Sequence, residues 1–169
     1  QLEIELDNNI FGPFEPNDTT PTARPLANIP QAGGGSQTIT DLFLGDGAFG
    51  NRDVDFFRIV VDAGTTLNAT VTSLGTLNSA LLLFPSSGTA PLRISNPSGN
   101  NNSAITDFVF AIGGTYYLAI SESNNVGFNP VSAGSGAPAA TTGTYTFSVS
   151  LTRGVSDPAM GLSGTNLSV

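Results

Sequence analysis

Thr144-Tyr145-Thr146-Phe147-Ser148-Val149-Ser150-Leu151-Thr152 sets an apolar residue at every second position with a hydroxyl residue between. Successive side chains of a strand point to opposite faces, and this stretch therefore reads as a strand with one face in a core and the other in water. Six strand-like runs precede it: Gln37–Leu44, Val54–Asp62, Thr65–Ser73, Ser79–Phe84, Ala104–Ile112 and Thr115–Ser121. Turn chemistry bounds them at Asp62-Ala63-Gly64, Pro85-Ser86-Ser87-Gly88 and Ile112-Gly113-Gly114-Thr115. No stretch has the period of an amphipathic helix. The pattern predicts an all-β, antiparallel, jelly-roll-like β-sandwich of about seven to eight strands.

Leu2-Glu3-Ile4-Glu5-Leu6-Asp7 alternates apolar and acidic residues and predicts an extra N-terminal strand. Between it and the sandwich, Asn8 to Ser36 carries five prolines and Gly33-Gly34-Gly35, which argues against regular structure over most of its length. Residues 131–142, rich in Ala, Gly, Ser and Thr, read as an exposed loop within the domain because a clear strand follows. The organisation expected is a 1–12 extension, a 13–153 sandwich and a 154–169 tail.

Composition removes several chemistries. The five basic residues are all Arg, and His, Lys, Cys and Trp are absent. This excludes Ser-His and Cys-His nucleophiles, thiolate or imidazole zinc sites, Schiff bases and P-loops. A net charge of −8 and a pI near 4.1 oppose nucleic acid and anionic membranes as partners and favour divalent cations. Residues 1–62 hold ten of the 13 acids. No apolar run approaches the roughly 20 residues of a membrane-spanning helix. Gln1 in place of Met suits a mature product whose leader has been removed, and a secreted or cell-surface location is expected. Sequons at Asn17, Asn68, Asn101 and Asn166 permit glycosylation.

Six motifs in order carry a resemblance to a known family: Glu15-Pro16-Asn17-Asp18-Thr19, Asp53-Val54-Asp55-Phe56-Phe57-Arg58, Ala63-Gly64, Leu81-Leu82-Leu83-Phe84, Gly114-Thr115-Tyr116-Tyr117-Leu118 and Gly143-Thr144-Tyr145-Thr146-Phe147. Over about Phe14 to Leu151 the chain resembles the bacterial pre-peptidase C-terminal domains, which share their sandwich with the collagen-binding domains of clostridial collagenases. The resemblance implies an extracellular, non-catalytic appendage of a secreted enzyme. It also implies a calcium site at Glu15, Asn17, Asp18, Asp53 and Asp55.

Chemistry agrees with calcium, which takes about six to eight oxygen ligands. Glu15, Asn17 and Asp18 offer some from a Pro-restricted loop, and Asp46, Asp53 and Asp55 offer more from another. The competing reading makes them solvated acids, with Asn17 or Asp18 in an Asx turn. A glycosidase carboxylate pair is disfavoured, since the aromatics alternate within strands where core packing explains them. Adjacent Tyr116 and Tyr117 must point to opposite faces, one toward core and one accessible.

Leu2, Ile4 and Leu6 need an apolar partner, and the Pro-rich stretch behind them lets the segment reach a neighbouring copy. The leading expectation is therefore a calcium-stiffened structural protein that assembles with copies of itself into a filament or surface layer by strand exchange. The alternative is a monomeric collagen- or polysaccharide-binding module of a secreted hydrolase.

Overall fold

Strict alternation in Thr144–Thr152 becomes a central strand with Tyr145, Phe147, Val149 and Leu151 buried on one side. In the computed structural model, which describes residues 14–26, 29, 34–98 and 101–154, nine strands form. They are β1 (Arg24–Pro25), β2 (Gly35–Leu44), β3 (Asp55–Val61), β4 (Thr66–Leu74), β5 (Ser79–Pro85), β6 (Arg93–Ser95), β7 (Ser103–Val109), β8 (Gly114–Glu122) and β9 (Gly143–Thr152). One sheet has the order β1-β3-β8-β5-β6 and the other β2-β9-β4-β7. Every pairing is antiparallel except the short parallel one of β1 with β3.

The seven expected strands are all present as β2–β5 and β7–β9, and β1 and β6 are additions too short to leave a periodic signal. The expected N-terminal strand, with Leu2, Ile4 and Leu6, and the tail from residue 155 lie outside the described residues.

The main core fills the space between the sheets. Phe57, Ile59, Leu81, Leu83, Leu118 and Ile120 from one sheet meet Leu42, Leu67, Val71, Tyr145, Phe147 and Val149 from the other. A second, smaller core lies on the outer side of the five-stranded sheet, where Phe56, Leu82 and Phe84 meet Phe128. This explains Leu81-Leu82-Leu83-Phe84: β5 is buried on both faces, and a strand enclosed twice has no polar face to alternate with. Phe128 closes the second core edge-on to Phe56 at 5.7 Å between ring centroids.

Residues 131–142 are a loop, as expected, but a fastened one. The Ala139 N–H donates to the Asn51 carbonyl at 2.6 Å, and the Thr20 N–H reaches Pro130, one residue before the loop, at 2.8 Å. Gly134, at φ +66°, lies directly under the Phe49 ring, where an added Cβ would stand 2.3 Å from Phe49 Cδ1.

Both outer strands of the four-stranded sheet break their ladder in the same way. In β2, Thr40 and Asp41 together oppose Thr146, and in β7, Thr106 and Asp107 together oppose Asn68. Each bulge ends in an Asp at positive φ, 60° at Asp41 and 52° at Asp107, a conformation Asp tolerates better than most residues. The Asp107 N–H is taken by Asn68 Oδ1 at 3.0 Å, and Thr40 Oγ1 donates to Asp41 Oδ2 at 2.9 Å.

Candidate metal site

Residues 14–26 run beside the open edge of β3. The Phe56 N–H donates to the Asn17 carbonyl at 2.9 Å and the Leu26 N–H to the Arg58 carbonyl at 3.0 Å. A 3-10 turn at Thr20–Thr22 fixes the path between them, with a capping box in which the Thr19 N–H donates to Thr22 Oγ1 at 3.1 Å. These bonds hold Glu15 and Asp18 against the segment leading into β3, where Asp53 follows a second 3-10 turn at Gly50–Arg52.

The turn after β2 supplies the other wall. The Gly45 N–H donates to Asp53 Oδ2 at 2.6 Å. Gly47 faces the cluster closely enough that a Cβ there would lie 2.8 Å from Glu15 Oε2 and 3.6 Å from Asp18 Oδ1. The turn approaches this near because position 47 has no side chain.

One carboxylate oxygen from each of Glu15, Asp18 and Asp53 falls within 4.8 Å of the other two. Asp18 is 6% exposed and Asp53 3%. Asp18 Oδ1 and Asp53 Oδ1 are buried and receive no hydrogen bond from the described residues. Burying carboxylate oxygens without donors costs several kcal/mol in order of magnitude.

The titration of the group shows the crowding. Burial pushes the Glu15 carboxyl up to about 8, helped by the charges of Asp53, Asp18 and Asp46. Burial also lifts Asp53 to about 7; the Gly45 N–H opposes the rise and Asp18 and Asp46 add to it. Asp55, wholly enclosed, is raised well above the carboxylate range by burial and then by Asp53, while the Tyr145 hydroxyl pulls the other way.

Of the five residues expected at a calcium site, Glu15, Asp18 and Asp53 come together. Asn17 is 1% exposed and lies beside Asp55; its carboxamide makes no Asx-turn bond to the described residues. Asp55 is outside the three-acid group, and its Oδ2 accepts the hydrogen bond of the buried Tyr145 hydroxyl. Tyr145→Phe removes that donor and is expected to lower the unfolding free energy by about 1–3 kcal/mol. Urea denaturation measures it, and an unchanged midpoint at unchanged slope would show the bond to be energetically idle. Tyr116 and Tyr117 do face opposite sides, but both are half-buried, each packed on its own core.

Beside the acids opens a cavity of about 190 Å³ lined by Glu15, Pro16, Asp18, Ala48 and Phe49. Neither Phe49 nor the glycines at 45, 47 and 134 stand out in the sequence as site residues. The signal available was the density of Gly and Asp in Gly45-Asp46-Gly47-Ala48-Phe49-Gly50.

No family model matches the chain. Part of a probable subtilase-type serine protease of Deinococcus radiodurans is 34% identical over 123 residues, which cover 70% of this chain and 15% of that protein. The chain thus spans a small fraction of the relative's length. Among solved structures, the periplasmic g-type lysozyme inhibitor PliG of Aeromonas hydrophila aligns with a TM-score of 0.46 at 12% identity, over 76% of this chain and 95% of that one. The pre-peptidase C-terminal domain of Bacillus anthracis collagenase aligns with a TM-score of 0.42 at 14% identity, over 70% and 89%. The chain resembles the pre-peptidase C-terminal domains, as its six motifs imply.

Proposed function

We propose that the chain is a non-catalytic, calcium-stabilised binding module of a secreted hydrolase. The observation that carries the calcium reading is the meeting of Glu15 and Asp18 with Asp53 from a separate segment, two of their oxygens buried without donors. A cation bound there compensates three clustered carboxylates and ties the N-terminal loop to the sandwich. Hard carboxylate oxygens, with no His or Cys in the chain, suit calcium rather than zinc. Asp46, whose charge acts on both Glu15 and Asp53, is at hand as a further oxygen donor.

Attachment to a hydrolase is supported by the match to part of a protease, and the non-catalytic reading by a composition without His, Cys or Lys. A secreted location follows from the same reading. Self-assembly by strand exchange is less well supported. Among the described residues the four sheet edges are β2 and β7, both bulged, and β1 and β6, of two and three residues. Such edges offer a poor ladder to an incoming strand.

Sedimentation equilibrium with calcium, over a hundredfold range of protein concentration, tests the module against the polymer. A single monomeric species is expected. Concentration-dependent assembly that disappears when residues 1–12 are removed would overturn the module reading and restore the filament.

A further inference from the structure

Both walls of the metal site are tied to one further segment, residues 130–142. In the N-terminal loop, two residues beyond Asp18, the Thr20 N–H donates to the Pro130 carbonyl at 2.8 Å. The turn after β2 lies along the same segment: the Phe49 ring covers Gly134, the Asn51 carbonyl accepts the Ala139 N–H at 2.6 Å, and a Cβ added to Gly45 would stand 2.8 Å from Thr142 Cγ2. That turn is the one whose Gly45 N–H holds Asp53 and whose Gly47 faces Glu15. Pro130 to Thr142 contains no acid of its own. Its middle packs on the second core, where a Cβ on Gly136 would lie 3.1 Å from the Cα of Phe128. Its far end is fastened independently of the acids, Thr141 Oγ1 donating to Glu122 Oε1 at 3.4 Å and accepting the Asn78 N–H at 3.1 Å.

We propose that residues 130–142 are a calcium-set strap: an ion held between the two walls fixes the strap over the second core, and a fixed strap in turn raises the affinity for the ion. The inference rests on the calcium reading above. Glu15 and Asp18 stand on one chain segment and Asp53 on another, and carboxylates that face one another without a cation repel. A cation draws the walls together, and each wall carries its own anchor to the strap, Thr20 on one side and Phe49 with Asn51 on the other. The walls therefore shift only at the expense of those anchors. Coupling between two equilibria is reciprocal, so the factor by which loss of calcium loosens the strap is the factor by which a loosened strap weakens calcium. Gly134 is then a positioning residue for a site whose acids it does not touch: at φ +66° it admits the Phe49 ring, and an alanine there displaces the ring and with it the turn that faces Glu15.

Amide hydrogen exchange of the full chain, resolved by residue with NMR in calcium and in chelator, reads the strap directly. The Thr20 and Ala139 amides are expected to lose protection together, by roughly tenfold or more, when calcium is removed. The Asn124 N–H, which donates to Glu122 Oε2 at 2.8 Å, is expected to keep its protection. Calorimetric titration with calcium chloride reads the converse, and Gly134→Ala is expected to bind the ion roughly tenfold more weakly than the parent chain. A chain that takes up no calcium would overturn the calcium site itself. Calcium bound with unchanged exchange at Thr20 and Ala139, a loss of protection shared equally by Asn124, or undiminished affinity in Gly134→Ala would each overturn the strap alone.

Discussion

Saturating calcium is expected to raise the thermal midpoint of the metal-free protein by roughly 10 °C near pH 8. An ion at a thousandfold excess over its dissociation constant contributes about 4 kcal/mol, and one kcal/mol moves the midpoint of a domain this size by about 2–4 °C. The gain depends on pH with a definite sign. Without metal, Glu15 and Asp53 are raised to about 8 and about 7 by burial and by their neighbours. A carboxyl whose pKa is higher folded than unfolded favours the fold fully below its unfolded pKa and loses that contribution as pH rises through the folded value. The metal-free protein therefore weakens from about pH 5 toward about pH 8, where the same carboxylates are free to bind calcium. Calcium and chelator melts at about pH 5 and about pH 8 measure it, with a small difference expected at the first and a large one at the second. Asp53→Asn is expected to abolish the calcium response and to stabilise the chelated protein at the higher pH, because it removes a buried charge while leaving an oxygen for the Gly45 N–H. Equal midpoints with calcium and chelator at about pH 8 would remove the ion from the account of this fold.

Phe147→Ala is expected to cost about 3–5 kcal/mol, a large part of the roughly 5–15 kcal/mol that holds a typical domain together. Phe147 is fully buried at the middle of β9, between β2 and β4, with its ring centroid 4.8 Å from that of Phe57 in the opposite sheet. Truncation leaves a hole that surrounding strands, locked by two ladders, close poorly. The next residue is the control: Ser148 points to the other face, where its hydroxyl pairs with Thr38 Oγ1 at 3.0 Å, and Ser148→Ala is expected to change stability by less than about 0.5 kcal/mol. Guanidinium melts of the two variants separate these outcomes; comparable losses would mean that the outer hydroxyl rows carry far more of the fold than their exposure suggests.

The sandwich was legible because its strands are half-buried and announce themselves by alternation, as β9 does. β5 was legible for the opposite reason, an unbroken apolar run, although the second core that explains it depends on Phe128, some forty residues away. Glu15, Asp18 and Asp53 were legible through the resemblance, since acids of two segments converge only when a loop follows a particular sheet edge. The Phe49 cavity was not. It is made by glycines that let a turn approach an acid and a ring lie on a backbone, and a missing side chain leaves no positive mark in a sequence. The bulges lay in plain view as a repeated tripeptide, Ile39-Thr40-Asp41 and Ile105-Thr106-Asp107. Alternation alone does not tell an outer strand from an inner one, and its interruption by a single residue passed as part of each run.

Those twin interruptions bear on what the sheet offers to a neighbouring chain. A four-stranded sheet interrupted on both flanks by the same Thr-Asp step offers an approaching strand no continuous run of ladder on either side. Two aspartates in an awkward backbone conformation thus leave both flanks of this sheet poor templates for a further strand.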